Sequence, residues 1–169
     1  LLTRPYLQSV EMKRQLEEIG CRVSIEPVLE ISSVQYSLDI YKNSKAFAVT
    51  SLHASSEIAR QNGIDKSIPV YAVGSATAKP LREAGFKHVF EANGTAKSLL
   101  TLIREQHKPE DGMITYLSGW YITQDLARVL AMEGYKAQRV VSYKASPVKN
   151  ISPATTSMLR HNDIDIVIL

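Results

Sequence analysis

Short apolar runs alternate with amphipathic segments along residues 46–143, and small or hydroxyl-bearing residues separate them. The apolar runs are rich in β-branched and aromatic residues, which is typical of buried strands; they cover residues 46–51, 70–73, 89–90, 113–117 and 137–143. Apolar side chains at helical spacing predict helices over residues 54–61, 78–84, 98–106 and 125–132. Regular alternation of strand and helix predicts a parallel sheet with helices on both faces.

The flanking segments have weaker patterns. Residues 1–3, 22–25 and 164–169 are predicted strands, the last of them a core strand, and residues 27–31 are extended. Ser9 is a predicted N-cap of a helix that Gly20 ends. Weak helical spacing is also found over residues 34–40 and 155–159.

These patterns predict one α/β domain inserted into another. The outer domain comprises residues 1–28 and 148–169, and the inserted domain comprises residues 34–142. Residues 29–33 and 143–147 are predicted to form a two-stranded linker. Because a complete fold rarely ends on a core strand, we expect the outer domain to continue beyond Leu169.

Small or polar residues follow the predicted strands of the inserted domain. They are Thr50, Ser51, Gly74, Ser75, Asn93, Gly94, Ser118 and Gly119. The first backbone N–H groups of a helix have no intrahelical partner, and the positive end of the helix dipole lies there, so such turns bind anions. For any single turn, helix capping explains the small and hydroxyl-bearing residues as well as anion binding does. Because such turns recur at one edge of the sheet, an anion site is favoured.

Composition and charge narrow the function. The 169 residues are 44% hydrophobic and 22% charged, with a formal net charge of +3, as in a globular protein. The basic residues are scattered, so we expect no nucleic-acid partner, and no apolar run is long enough to predict a membrane segment. The single cysteine, Cys21, allows no internal disulfide and fits a reducing compartment.

Few recognised chemical motifs are present. The four histidines lack ligand spacing and read as ordinary surface residues, so no metal is predicted; they are His53, His88, His107 and His161. The turn at Gly74 lacks the Walker lysine and the three-glycine dinucleotide pattern, and no Gly-x-Ser-x-Gly occurs. Tyr143 lies where the chain passes out of the inserted domain. A tyrosine in such a connection more often packs against its neighbours than takes part in chemistry. Trp120 and Tyr121 are expected to be exposed, as a packing contact or as a flat surface for an aromatic ligand.

Five short motifs occur in a family-specific order. They are residues 2–5 (Leu-Thr-Arg-Pro), 49–51 (Val-Thr-Ser), 70–78 (Val-Tyr-Ala-Val-Gly-Ser-Ala-Thr-Ala), 116–119 (Tyr-Leu-Ser-Gly) and 141–143 (Val-Ser-Tyr). In order and spacing they resemble the uroporphyrinogen-III synthases. The resemblance implies two flavodoxin-like domains with parallel sheets, joined by a two-stranded linker, with the active site in the cleft between them.

The same resemblance implies the activity. Family members cyclise hydroxymethylbilane, a linear tetrapyrrole with eight carboxylates, to uroporphyrinogen III with inversion of ring D, on the route to haem. The resemblance implies a cytoplasmic enzyme without metal or organic cofactor, and we expect a monomer. It makes Tyr143 the best candidate for the proton donor, in a helpful rather than indispensable role. The strand-end turns and the motifs together predict the substrate-binding residues, which are Arg4, Thr50, Ser51, Gly74, Ser75, Thr77, Ser118 and Gly119.

Two positions depart from the family pattern. Leu52 and His53 stand where family members often carry Pro-Arg, and residues 120–125 lack the arginine that many members have there. Both differences remove a potential partner for a substrate carboxylate.

Two other functions stay open. A non-catalytic two-lobed module that binds a tetrapyrrole or phosphate would show saturable binding without product. A response-regulator-like phosphoacceptor domain needs acidic residues at the strand ends, where this chain carries hydroxyls.

Overall fold

Helices and strands alternate along the chain in the computed structural model, which describes residues 1–169 apart from the side chain of Leu7. The helices are α1 (Tyr6–Glu18), α2 (Ile40–Asn43), α3 (Leu52–Arg60), α4 (Ser75–Glu83), α5 (Ala96–Gln106), α6 (Leu126–Met132) and α7 (Pro153–Arg160). The strands are β1 (Leu29–Ser33), β2 (Ala46–Val49), β3 (Val70–Ala72), β4 (Val89–Glu91), β5 (Ile114–Gly119) and β6 (Ala137–Pro147). Among the described residues, no helix is both long and apolar enough to cross a membrane.

The chain forms two compact units. Leu1–Ser32 and Ala145–Leu169 make the outer unit, and Ser33–Lys144 make the inserted unit. The inserted unit is therefore continuous in sequence, whereas the outer unit is built from both ends of the described chain.

The inserted unit contains a parallel sheet in which the strands lie in the order β6-β5-β2-β3-β4. The predicted α/β class and parallel sheet are thus confirmed. If the five strands β2 to β6 are numbered 1 to 5 along the chain, their order in the sheet is 3-2-1-4-5. Dinucleotide-binding folds have this order, whereas flavodoxin has the order 2-1-3-4-5. The flavodoxin-like arrangement, which the family resemblance implies, is therefore not confirmed for this unit.

Both faces of the sheet are covered. Phe47 and Val49 of β2 pack on one face with Ile58 of α3 and Leu81 of α4. The alternate residues Ala46 and Ala48 pack on the other face with apolar side chains of α5 and α6. All four β2 side chains are buried, which explains why β2 reads as a continuous apolar run.

β1 and the carboxyl end of β6 are the extended segments at the two boundaries between the units. The backbone N–H of Val34 donates to the carbonyl of Ser142 at 2.9 Å, and that of Val148 donates to the carbonyl of Val28 at 3.0 Å. These two hydrogen bonds make the pairing antiparallel and connect the two extended segments that pass from one unit to the other.

The outer unit is held together around Leu2. Leu2 forms parallel bridges with Ile25 and Ile168 and is 1% exposed. The predicted strands over residues 1–3 and 22–25 are therefore reduced to bridge positions. The helix predicted over residues 155–159 is α7, which Ser152 caps through a hydrogen bond from the Thr155 N–H.

Two predictions in the outer unit are wrong. Ser9 does not cap α1, which begins after Pro5 without a side-chain cap; the Ser9 hydroxyl donates to the Arg4 carbonyl at 3.0 Å from inside the helix. The predicted core strand over residues 164–169 pairs only at Ile168 among the described residues, and Leu169 is 88% exposed. A single bridge does not hold these residues in a sheet, and their side chains stay largely exposed.

The weak helix predicted over residues 34–40 is also wrong. This segment is irregular until α2 begins at Ile40. The Val34 N–H bonds to β6, and the Tyr36 hydroxyl bonds the Tyr41 hydroxyl at 2.6 Å and Glu57 Oε1 at 2.9 Å. These tertiary hydrogen bonds outweigh a marginal helical propensity.

The carboxylate of Glu26 joins the two sequence segments of the outer unit. It accepts hydrogen bonds from the Ser152 hydroxyl at 2.6 Å, the Thr155 hydroxyl at 2.7 Å and the Ser152 N–H at 2.9 Å. The Ser152 hydroxyl is the largest cause that lowers the pKa of Glu26, followed by Thr155. The ionised form therefore stabilises the native state.

We expect Glu26→Gln to remove part of the acid dependence of stability. A carboxyl whose folded pKa is lowered contributes stability above its unfolded pKa, and loses it as pH falls through the folded pKa. At pH 7 the variant should be less stable by about 1 kcal/mol, since the site is partly solvated, and at an acidic pH below the folded pKa of Glu26 the difference should vanish. Thermal unfolding at both pH values measures this, with Glu110→Gln on the exposed Pro109–Asp111 turn as the control. An equal destabilisation at both pH values would contradict the assignment.

Candidate functional site

The carboxyl ends of the parallel strands carry the candidate site. The strand order reverses between β2 and β5, and doubly wound sheets bind ligands at the carboxyl edge beside such a reversal. A cavity of about 330 Å³ opens there within the inserted unit. Its lining residues are Thr50, Ser51, Val73, Ala96, Tyr116, Gly119, Tyr121, Ile122, Thr123, Gln124 and Tyr143.

Tyr143 enters this cavity because β6 carries a bulge. Leu117 pairs with Val140 and Ser118 with Val141, but Gly119 pairs with Tyr143, so Ser142 is passed over. In a regular strand Val140 and Tyr143 would face opposite sides of the sheet, yet both pack against the same core. The bulge therefore turns Tyr143 onto the face where Gly119 lies.

Gly119 forms the floor beneath the Tyr143 ring. A Cβ atom at this position would lie 2.7 Å from Cζ, 2.8 Å from Cε2 and 2.9 Å from the hydroxyl oxygen of Tyr143. Real Cβ atoms do not approach other heavy atoms so closely, so any other residue at this position would force the Tyr143 side chain to move.

The imidazole ring of His53 packs against the ring of Tyr143. Its ring centroid lies 5.4 Å from that of Tyr143, and its Nε2 atom is buried without a hydrogen-bond partner among the described residues. Burial lowers the pKa of His53, and the charge of Arg60 lowers it further. The imidazole is thus neutral at neutral pH and acts as a packing partner of Tyr143 rather than as a cation.

Tyr116 reaches the cavity from the opposite face of β5. Its hydroxyl shares a 3.0 Å hydrogen bond with the Thr50 hydroxyl. Burial raises the pKa of Tyr116, while the hydrogen bond with Thr50 and the charge of Arg139 act in the opposite direction. The pair places two neutral hydroxyl groups on the cavity wall.

Arg139 holds the turn that follows β5. Its Nε donates to Ser118 Oγ at 2.9 Å, and its Nη2 donates to the carbonyls of Gly119 at 2.8 Å and Trp120 at 2.9 Å. The predicted exposure of the next two aromatic residues is confirmed, since Trp120 is 55% and Tyr121 is 70% exposed.

Helices α3 and α4 begin at this edge with different caps. Ser51 caps α3, because its Oγ accepts a 3.2 Å hydrogen bond from the Ala54 N–H. Helix α4 begins after Gly74 without a side-chain cap, and Ser75 is exposed in its first turn. The side chain of Thr77 is 6% exposed. The hydroxyl groups of these turns thus have unequal access to a ligand.

The predicted site residues fall into three groups. Thr50, Ser51, Gly119 and Tyr143 line one cavity. Gly74, Ser75, Thr77 and Ser118 lie at the same sheet edge but are not among the described residues of the cavity wall, and the Ser118 hydroxyl is buried against Arg139. Arg4 belongs to the outer unit, where its carbonyl accepts from Ser9.

Sequence reasoning missed Tyr116 and Arg139. Tyr116 belongs to one of the five motifs, but its apolar neighbours predict a core position and not a site residue. Arg139 is a charged residue in the middle of a predicted strand. Because a charge in that position needs hydrogen-bond or charged partners nearby, the sequence could have indicated a structural role for it.

The structure offers no evident metal centre. The described residues contain no group of three or more His, Cys, Asp or Glu side chains that could hold an ion. The assignment of all four histidines to the surface is wrong for His107, which is 4% exposed and packs edge-on against Tyr71 with ring centroids 6.2 Å apart.

A doubly wound α/β unit with a polar cavity at the strand-order reversal is typical of proteins that bind small molecules. The family model of Uroporphyrinogen-III synthase HemD matches residues 10–169. The chain therefore belongs to the uroporphyrinogen-III synthase family. A search of curated proteins finds no match.

Solved structures agree with this fold. The uroporphyrinogen-III synthetase of Helicobacter pylori 26695 is 21% identical with a TM-score of 0.57; the match covers 83% of this chain and 64% of that one. A mutant uroporphyrinogen III synthase of the extremely thermophilic bacterium Thermus thermophilus is 20% identical with a TM-score of 0.57, over 98% of this chain and 69% of that one. The chain thus spans about two thirds of the length of these relatives.

Proposed function

We propose that the protein cyclises hydroxymethylbilane to uroporphyrinogen III with inversion of ring D. Membership of the family over residues 10–169 is the observation that carries this proposal. The cavity at the carboxyl edge supports it, because a hydroxyl donor and helix N-termini meet at one place in the inserted unit.

The cavity suits part of a polycarboxylate. Helix α3 begins beside it at Ser51, so backbone N–H groups and the positive end of the helix dipole favour a carboxylate. A volume of about 330 Å³ is at the lower end of the range for ligand sites, and suits one ring with its acidic side chains rather than a whole linear tetrapyrrole.

The chemistry needs a leaving hydroxyl and a fixed geometry. The terminal C–O bond breaks, and the hydroxyl leaves as water with a proton from the Tyr143 hydroxyl. The resulting cation is stabilised by the pyrrole nitrogen lone pair. Ring D is then attacked at its substituted carbon, the spiro intermediate rearranges, and the proton that the ring carbon loses on final closure restores the Tyr143 hydroxyl. Because the substrate closes unaided to isomer I, the main contribution of the protein is to hold one conformation.

The isomer of the product tests the proposal. Purified protein containing this whole chain is supplied with hydroxymethylbilane, and the oxidised products are separated by chromatography. We expect isomer III, formed in proportion to enzyme concentration. Isomer I alone would refute the proposal, and saturable binding with isomer I alone would favour a non-catalytic tetrapyrrole-binding module.

We expect Ser51→Ala and Thr77→Ala to lower the rate of isomer III formation. Loss of the Ser51 cap should also destabilise the inserted unit by about 1 kcal/mol, because the Ala54 N–H loses its partner. Steady-state kinetics and thermal unfolding measure both effects, with Ser67→Ala, on the loop before β3, as the control. Wild-type rates for both variants would remove these residues from the site.

The proposal extends to the whole protein. We propose that the outer and inserted units each belong to one α/β domain, with the boundaries predicted above, and that the protein acts as a cytoplasmic monomer without nucleic-acid or membrane partners. The residues of the outer unit, Arg4 among them, then supply further contacts to the substrate carboxylates.

A further inference from the structure

A single guanidinium organises the turn over residues 118–120, which consists of the last two residues of β5 and Trp120. Arg139 donates to one side-chain oxygen and two backbone carbonyls of three consecutive residues, at 2.8–2.9 Å. All three acceptors are neutral, and the described ion pairs do not include Arg139. Arg139 therefore acts through its three hydrogen bonds rather than through a salt bridge.

The same turn is joined to Tyr143 from the other face of the sheet. The Trp120 N–H donates to the Tyr143 carbonyl at 2.8 Å, and Gly119 lies under the Tyr143 ring. Arg139 pairs with Tyr116, so it lies on the face opposite to Tyr143. The turn is thus fixed between a guanidinium on one face and a phenol ring on the other.

We propose that Arg139 is a positioning residue, which fixes the turn over residues 118–120 and, through that turn, the hydroxyl of Tyr143. The planar guanidinium reaches three acceptors at once, which an ammonium on a flexible stem cannot reproduce. Its effect on turnover rests on the proposed function, whereas its effect on the turn does not.

Trp120 gives a readout that needs no substrate. It is the only tryptophan of the chain, and it contributes both the carbonyl that Arg139 holds and the N–H that bonds Tyr143. We expect Arg139→Gln and Arg139→Lys to add a fast component to the fluorescence anisotropy decay of Trp120 and to increase its quenching by acrylamide. Arg128→Gln, which changes an exposed side chain of α6, is the control and should match the wild type. Unchanged fluorescence in both Arg139 variants would overturn the proposal.

Kinetics then test the link to Tyr143. We expect Arg139→Gln and Arg139→Lys to lower kcat for isomer III by about 10- to 100-fold with little change in KM, since small displacements of a reacting group have effects of this size. In a Tyr143→Phe background the further loss should be less than about threefold, because coupled residues are not additive. An equal loss in both backgrounds, or full activity of Arg139→Lys, would overturn the proposal. Thermal unfolding shows which variants are folded, and the lysine variant is the second test if the glutamine variant unfolds.

The two proposals fail in different ways. Isomer I alone from the wild-type protein ends the proposed function and leaves the fluorescence test of the turn in place. Isomer III with unchanged Trp120 fluorescence in the Arg139 variants ends the positioning role and leaves the activity in place.

Discussion

Gly119→Ala is expected to abolish most of the activity while leaving the fold intact. The new Cβ would lie within 2.7–2.9 Å of three atoms of the Tyr143 side chain, so the ring must move. The backbone at Gly119 is not among the positive-φ glycines, so alanine strains no dihedral angle there. Displacement of the hydroxyl should lower kcat about 100-fold, and crowding should destabilise the inserted unit by about 1–3 kcal/mol.

Removal of the ring provides the control for this steric effect. In a Tyr143→Ala background the Cβ at position 119 has no ring to contact, so the destabilisation by Gly119→Ala should disappear. Thermal unfolding of the two single variants and the double variant measures this coupling. A destabilisation that persists without the ring would show that Gly119 has another structural role.

Tyr143→Phe is expected to slow turnover more than it weakens binding. The ring stays in place over Gly119 and against His53, so stability should match that of the wild type. Loss of the proposed proton donor should lower kcat by roughly 10- to 100-fold, with KM changed by less than about threefold. Kinetics with hydroxymethylbilane and separation of the isomers provide the measurement.

Tyr135→Phe is the matched control for Tyr143→Phe. Tyr135 precedes the amino end of β6 and packs against the opposite core, so its hydroxyl lies at the other edge of the sheet. We expect wild-type kinetics for this variant. Equal kcat for the Tyr143→Phe and wild-type proteins would remove proton donation from the role of Tyr143.

The sequence predicted the inserted unit well because its strands are buried on both faces. All four residues of β2 and all six of β5 are buried, so a plain apolar run marks each strand and the polar residues after it mark the carboxyl edge. Thr95 has a side chain that favours helix starts, and its hydroxyl caps α5 by accepting from the Ser98 N–H. Local chemistry decides both kinds of feature, and periodicity therefore reveals them.

The geometry of the site was less accessible. The bulge at Ser142 is a property of the pairing between β5 and β6, and neither strand shows it alone. The same holds for the contact of Gly119 with Tyr143 and for the three hydrogen bonds of Arg139. Such features depend on register, and strands that are buried on both faces carry no alternation from which register can be predicted.

The weak pattern of the outer unit failed for a different reason. Its strands pair at single positions, so little apolar surface is buried along them and their sequences carry little alternation. The Ser9 prediction failed because a serine inside a helix can bond back to a preceding carbonyl as readily as a serine at its start can cap.

The discontinuity of the outer unit has a consequence for biosynthesis. Ser33–Lys144 leave the ribosome as one uninterrupted stretch, and their sheet can close while Ala145–Leu169 are still being translated. Leu2 has to wait for Ile168, across a loop of more than 160 residues, before both of its bridges form. The segment around Leu2 therefore cannot complete its pairing until Ile168 has been synthesised.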